Sequence, residues 1–202
     1  MFALVESGSI TKMLNGNKGI QIGDLKHPRA IYTLWTEAER NAIGIYTVEY
    51  DDSNKKDEKW YINTDQSYAF ADNKVTASYG SATAKKHADT TWTQQQIDDG
   101  DAPAGADTDT VAVKGLKTVL IEQVKSQAEG ELNRTDWYIT RKAEKNTAIP
   151  SAITTHRDAV RSKQSSMETA ITNASDTPAL ETLYTRNNEG VRPLGDIPKK
   201  DF

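Results

Sequence analysis

From Ala112 onward, apolar side chains return every fourth residue, at Ala112, Leu116, Leu120, Val124, Ala128 and Leu132. Val113 and Val119 broaden this stripe, and Lys117, Glu122, Lys125 and Glu129 lie opposite it. The spacing predicts an amphipathic helix of about five turns beginning at Val111. Nothing before Ser81 has that period. There the apolar residues come in short β-prone runs divided by glycine, asparagine and aspartate. A chain that changes period in this way is expected to be α+β, with a β-rich N-terminal domain followed by a helical module.

The β-rich part is read as residues 1–81, a small antiparallel domain that docks a partner. FALVE (2–6) and SITKM (9–13) predict a hairpin across Ser7-Gly8, and GIQIGD predicts another short strand. Thr36 followed by Glu39 is a capping-box pattern, so a short helix is expected over 37–42, ended by Gly44. IYTVEY (45–50), KWYIN, SYAFA and KVTASY follow as strands, with turns at Thr64-Asp65 and Asp72-Asn73.

Residues 82–110 read as a linker or exposed loop, because 93–110 nearly lack large apolar groups; Trp92 is the expected anchor at one end. The helical module spans 111–185. Thr135 and Asp136 suit the start of a short second helix, and Asn146 suits a left-handed stop. Ile149, Ile153, His156, Val160, Met167, Ile171 and Ala174 predict a long helix over about 151–173. Thr177 reads as a cap with Pro178 at the first helical position, opening a last short helix to about Tyr184. Residues 186–202 carry glycine and proline every few positions and read as an extended arm. The break over 145–150 lets the chain reverse into a helical hairpin with the short helix wedged at its bend. Lys163 and Gln164 interrupt the seam of the long helix, which favours that intrachain hairpin over a coiled coil.

Composition narrows the function classes. The 202 residues carry a net charge of -4 from 25 basic and 29 acidic residues, well mixed, which argues against a nucleic-acid surface. Hydrophobic residues make up 36%, so a thin core and a chain that leans on a partner are expected. There is no cysteine, and therefore no disulfide or thiol chemistry. The first residues do not read as a signal peptide, no run is long and apolar enough to cross a bilayer, and no membrane partner is expected.

No catalytic constellation is visible. His27, His87 and His156 stand in different elements without ligand spacing, and His156 falls on the apolar face of its helix, as a packed histidine would. The acidic stretch over 98–109 lacks the ligand order of a calcium loop. Asp52, Asp57 and Glu58 border a β segment without an opposed pair, as glycoside hydrolysis needs. Tyr61, Tyr68, Phe70 and Tyr79 lack the basic surround of a base-stacking platform and read as alternating core residues. The expectation is a non-enzymatic protein without cofactor or metal.

TDWYITRKAEKNTAIPSAITTHRDAVR places Trp137 and Tyr138 side by side, about 100° apart on a helix. The expected arrangement buries Trp137 against the first long helix, as the core plug of a small bundle, and leaves Tyr138 at the rim. The alternative is that this face docks another chain. The surrounding segment, 116–161, resembles the C-terminal segment of tail-fibre assembly and related tail-associated proteins of tailed bacteriophages. The matching positions are Asp136, Trp137, Arg141, Glu144, Ile149, Pro150, Arg157, Val160 and Arg161. The chain departs from the pattern at Asn146, where glycine is common, and at His156, where an aromatic is common. FALVESGSITKM also resembles the opening strands of small phage tail proteins.

The resemblance implies phage tail biology. The 93–110 linker, the glycine- and proline-rich C-terminal arm and the complete β domain favour a structural component of a virion tail, a baseplate or tail-fibre attachment adaptor. Its partners would be other tail or fibre proteins, with several copies per particle. The alternative is a fibre assembly chaperone that does not stay in the virion. Trp137, Tyr138, Arg141, His156, Arg157 and Arg161 are the expected interface residues.

Overall fold

The computed structural model describes residues 1–200 and is α+β, with two compact units, Met1–Thr83 and a second beginning at Ala84. In the first unit, β1 (Phe2–Glu6) and β2 (Ser9–Leu14) form the expected hairpin. Ser7 and Gly8 both take positive φ (51° and 78°), the turn geometry whose twist matches that of the flanking strands. The short β3 (Ile20–Ile22) and β4 (Leu25–His27) pair with each other, and α1 (Ile31–Leu34) follows. α2 (Glu37–Ala42) starts at Thr36 with the full reciprocal capping box to Glu39. Gly44, at φ 81°, turns the chain into β5 (Ile45–Asp51); a side chain there would press on the Val5 carbonyl.

β6 (Tyr61–Ile62) precedes a second tight hairpin, β7 (Gln66–Ala71) and β8 (Lys74–Tyr79), turned by Asp72 and Asn73 at φ 50° and 58°. The main sheet runs β2-β1-β5-β8-β7. Its β5–β8 pair is parallel, with Val48 opposite Val75, which corrects the expectation of an antiparallel sheet throughout. Turn residues set the direction of strands within a hairpin. The direction in which one hairpin joins the next depends on the excursion between them. That excursion is pinned by the Asn63 amide, whose Oδ1 accepts from Lys56 N–H (2.9 Å) and whose Nδ2 donates to Lys56 C=O (2.8 Å), and by buried Trp60 and Tyr61.

Both faces of the sheet are covered. Leu4, Leu14 and Ile45 pack with Ile20, Ile31 and Tyr32 on one side. Ala3, Val5, Val48, Val75 and Ala77 form the other core, flanked by the tilted Tyr46–Phe70 pair. Tyr61 is buried and Phe70 packs on that core, as read from the sequence, while Tyr68 is more exposed.

β9 (Thr83–Ala84) lies where the two units divide. The second unit corrects the expected linker. Residues from Ala84 onward belong to it, and β10 (Thr90–Thr91) pairs with β11 (Val111–Val113). Trp92 N–H donates to the Thr110 carbonyl. Between these strands the chain makes an exposed excursion with a small helix, α3 (Gln94–Asp98), held by a Thr93–Gln96 capping box. The exposed loop is therefore real, but it returns to its own base.

α4 (Leu116–Asn133) starts after β11 rather than at Val111. Its free N–H groups are claimed by the preceding segment. Asp89 accepts from Gly115 N–H (2.6 Å) and Thr118 Oγ1 (2.9 Å), and the Leu116 and Lys117 N–H groups donate to the Lys86 and His87 carbonyls. A Cβ at Gly115 would run into the Ala88 carbonyl, so the close approach requires glycine.

α4 packs antiparallel on α6 (Ser151–Asn173): Lys117 Nζ donates to the Thr172 carbonyl at one end, and Glu131 meets His156 at the other. Leu120, Val124 and Ala128 are buried, and then Glu131 takes the seam while Leu132 is only half-buried. A four-residue repeat drifts by about 40° per step on an α-helix, so after three steps the position three residues on faces inward. α5 (Asp136–Lys145) ends at left-handed Asn146 as expected.

α7 (Thr177–Tyr184) is capped by Asp176, which accepts from the Ala179 N–H, and not by the expected Thr177, whose hydroxyl instead donates to the Lys85 carbonyl (2.6 Å). The expected extended arm folds back: Leu194 and Ile197 are buried, Leu194 N–H donates to the Leu183 carbonyl, and Lys163 Nζ donates to the Leu194 carbonyl (2.7 Å). Two apolar side chains three residues apart are enough to seat a segment that has no helical period. The last two positions of that arm lie outside the described residues.

Candidate docking surface

The six expected interface residues separate into an internal and an external group. His156 and Arg157 are each only 7% exposed, which corrects their reading as contacts to another chain. Arg157 Nη1 reaches the Leu132 carbonyl (2.8 Å), Thr135 Oγ1 (2.7 Å) and Asp136 Oδ1 (2.7 Å). A terminal guanidinium nitrogen has two N–H groups, so one of the three bonds is shared. Thr135 Oγ1 in turn donates to the Leu132 carbonyl (2.9 Å). Arg157 thus satisfies the carbonyl end of α4 and the start of α5 from a position on α6.

Next to it lies buried Glu131. Its carboxylate accepts from His156 Nε2 (3.0 Å), Arg134 Nη1 (3.1 Å and 3.2 Å) and the Lys200 N–H (3.2 Å). Burial pushes this carboxyl upward, but the hydrogen bonds from Arg134, Lys200 and His156 outweigh it and hold the group below the usual glutamate range. An ionised Glu131 makes Nε2 the protonated nitrogen of His156. Sequence reasoning placed His156 on the packed face correctly. It missed Glu131 as the partner, because a glutamate just off the apolar stripe reads as a solvent-facing charge.

The external group is on α5. None of its residues is buried; Trp137 is 52% and Ile139 43% exposed. The expectation that Trp137 plugs a bundle core is therefore overturned. The α4–α6 seam is already closed by Val124, Ala128, Ile153 and Val160, and α5 is held mainly through its first residues. The two aromatic side chains bend together instead of diverging, with ring centroids 3.8 Å apart at 33°. Arg141 lies over both, its Cζ 4.8 Å from the Trp137 centroid and 5.2 Å from that of Tyr138. Helix geometry explains the stack: Arg141 projects about 40° from Trp137 and about 60° from Tyr138, between the two. Arg161 is exposed, and its ion-pair partner is Asp158 on its own helix (3.7 Å). The structure therefore brings Trp137, Tyr138 and Arg141 together, and joins His156 and Arg157 in the interior behind them.

Among the described residues no group of three or more histidine, aspartate or glutamate side chains could hold a metal ion, and no helix is long and apolar enough to cross a membrane. Compared with known proteins, the chain matches no protein-family model, no curated protein and no solved structure at a significant level.

Proposed function

We propose that this protein is a non-enzymatic structural component of a bacteriophage tail, a baseplate or tail-fibre attachment adaptor that works through protein–protein contacts. It would be made in the host cytoplasm and carried in the virion tail in several copies. The observation that carries the reading is α5, a ten-residue helix with no buried side chain and an exposed Trp137. A helix that short is marginal unless a face is packed. A large aromatic at its surface supports a role in holding another chain. The resemblance of residues 116–161 to tail-associated proteins supplies the biological setting.

The test is a quantitative protein inventory of purified infectious particles. A fixed copy number per tail, in a multiple of three or six, is the expected result. Absence from particles, with abundant protein in the lysate, overturns the structural reading in favour of a fibre assembly chaperone.

A further inference from the structure

Arg141 stacks on two aromatic rings and, among the described residues, pairs with no carboxylate. Among the described residues its guanidinium makes no hydrogen bond and no ion pair, and its Nε is buried against the rings without an acceptor. Glu144 stands three residues along the same helix, a spacing that allows a pair, yet the two are not joined. Asp136, the other acid of α5, is engaged by Arg157. Lys142 and Lys145 extend the positive charge along the last turn. α5 thus carries three cations against two carboxylates, one of them already engaged, on a chain of net charge -4.

Resting on the docking reading above, we propose that α5 receives an acidic segment of a partner protein. Arg141 takes a carboxylate, and Trp137 covers the apolar side chain next to it. The two rings fix the guanidinium plane, so the fork is oriented before binding and little side-chain freedom remains to be lost. A fixed guanidinium meets a carboxylate through two parallel hydrogen bonds, which an ammonium cannot do. The occupant follows from charge complementarity: the open donors are cationic and planar, and the surface beside them is aromatic.

The experiment uses the full chain and two short capped peptides, one of glutamate and leucine and its glutamine–leucine counterpart. The readout is the NMR signals of the Arg141 Nε–H and the Trp137 indole N–H, assigned with Arg141→Lys and Trp137→Phe. The glutamate peptide is expected to shift both signals and to bind at least ~10-fold more tightly than the glutamine peptide. Arg141→Lys, which keeps the charge and loses the fork, should remove that preference. Equal binding of the two peptides at Trp137 overturns the carboxylate receptor and leaves the docking face standing. Full retention of the preference in Arg141→Lys overturns the oriented fork and leaves charge alone. No shift with either peptide overturns the proposal, and the particle inventory then decides the docking reading separately.

Discussion

The two units are held together by different kinds of interior. In the first, the sheet faces bury Leu4, Ile31, Ile45, Val75 and their neighbours, a core of hydrocarbon and aromatic side chains. Among the described residues the buried polar and charged side chains, Glu131, Thr135, His156, Arg157 and Thr177, all lie in the second. An apolar core is non-directional and tolerates changes of shape. A polar one is satisfied only in one geometry and responds to pH. The polar groups of the second unit gather at its bend. There Arg157 joins the Leu132 carbonyl at the end of α4 to the Thr135 and Asp136 side chains that open α5, and Glu131 accepts from His156, Arg134 and the Lys200 N–H.

Substitutions can break this contrast. Ile45→Ala in the first unit removes a fully buried side chain and is expected to cost about 2–5 kcal/mol at every pH. Hydrogen exchange followed separately in each unit checks it; an equal loss of protection beyond Ala84 would contradict independent cores. Arg157→Leu should cost the second unit about 1–3 kcal/mol, because buried Thr135 Oγ1 loses its donor, while the Leu132 carbonyl keeps the Thr135 N–H and hydroxyl and exposed Asp136 is rehydrated. The same exchange experiment should show the loss at the α4–α5 junction first.

The contrast sharpens with acid. Glu131 has a lowered folded-state pKa, so its contribution is present above the ordinary glutamate value of 4.5 and is lost as pH falls through the folded value. Asp89, held low by the Gly115 N–H and Thr118, adds to the same slope. In the first unit Glu39 and Asp51 are also held low, by the Thr36 and Ser53 groups, but both lie at exposed local caps. Acid titration of exchange protection is therefore expected to weaken both units, and only in the second to release a buried carboxylate, Glu131. Glu131→Gln should be less stable near neutrality and show a shallower acid slope, and an unchanged slope would remove Glu131 from the account.

The smallest expected effect belongs to the most conspicuous residue. Trp137→Ala should leave the melt of the isolated protein within about 0.5 kcal/mol, since the residue is 52% exposed and its ring stacks on Tyr138 and Arg141 of its own helix. Assembly into particles should fail. A large loss of stability would return Trp137 to a structural role.

Much of the second unit was legible. The bounds of α6 and the left-handed stop at Asn146 follow from periodicity and backbone preference, and α7 was placed to within one residue although its cap is Asp176 and not Thr177. The candidate site was legible as a segment and misread as a surface. Trp137 has the composition of a core residue, and nothing within four positions of it reveals that Val124, Ala128, Ile153 and Val160 fill the seam without it.

What the sequence determined by itself is what neighbouring residues determine: the Thr36–Glu39 box, the two turns at Ser7-Gly8 and Asp72-Asn73, the helical periods, and the change from strand to helix. These depend on backbone torsions and on hydrogen bonds spanning a few residues. Only the tertiary structure decided the rest: the parallel joining of β5 and β8, the start of α4 at the Asp89 segment, the seating of Leu194 and Ile197, and the exposure of Trp137. Each of these depends on which distant group reaches a site first, and burial belongs to the pair in contact, never to one residue alone.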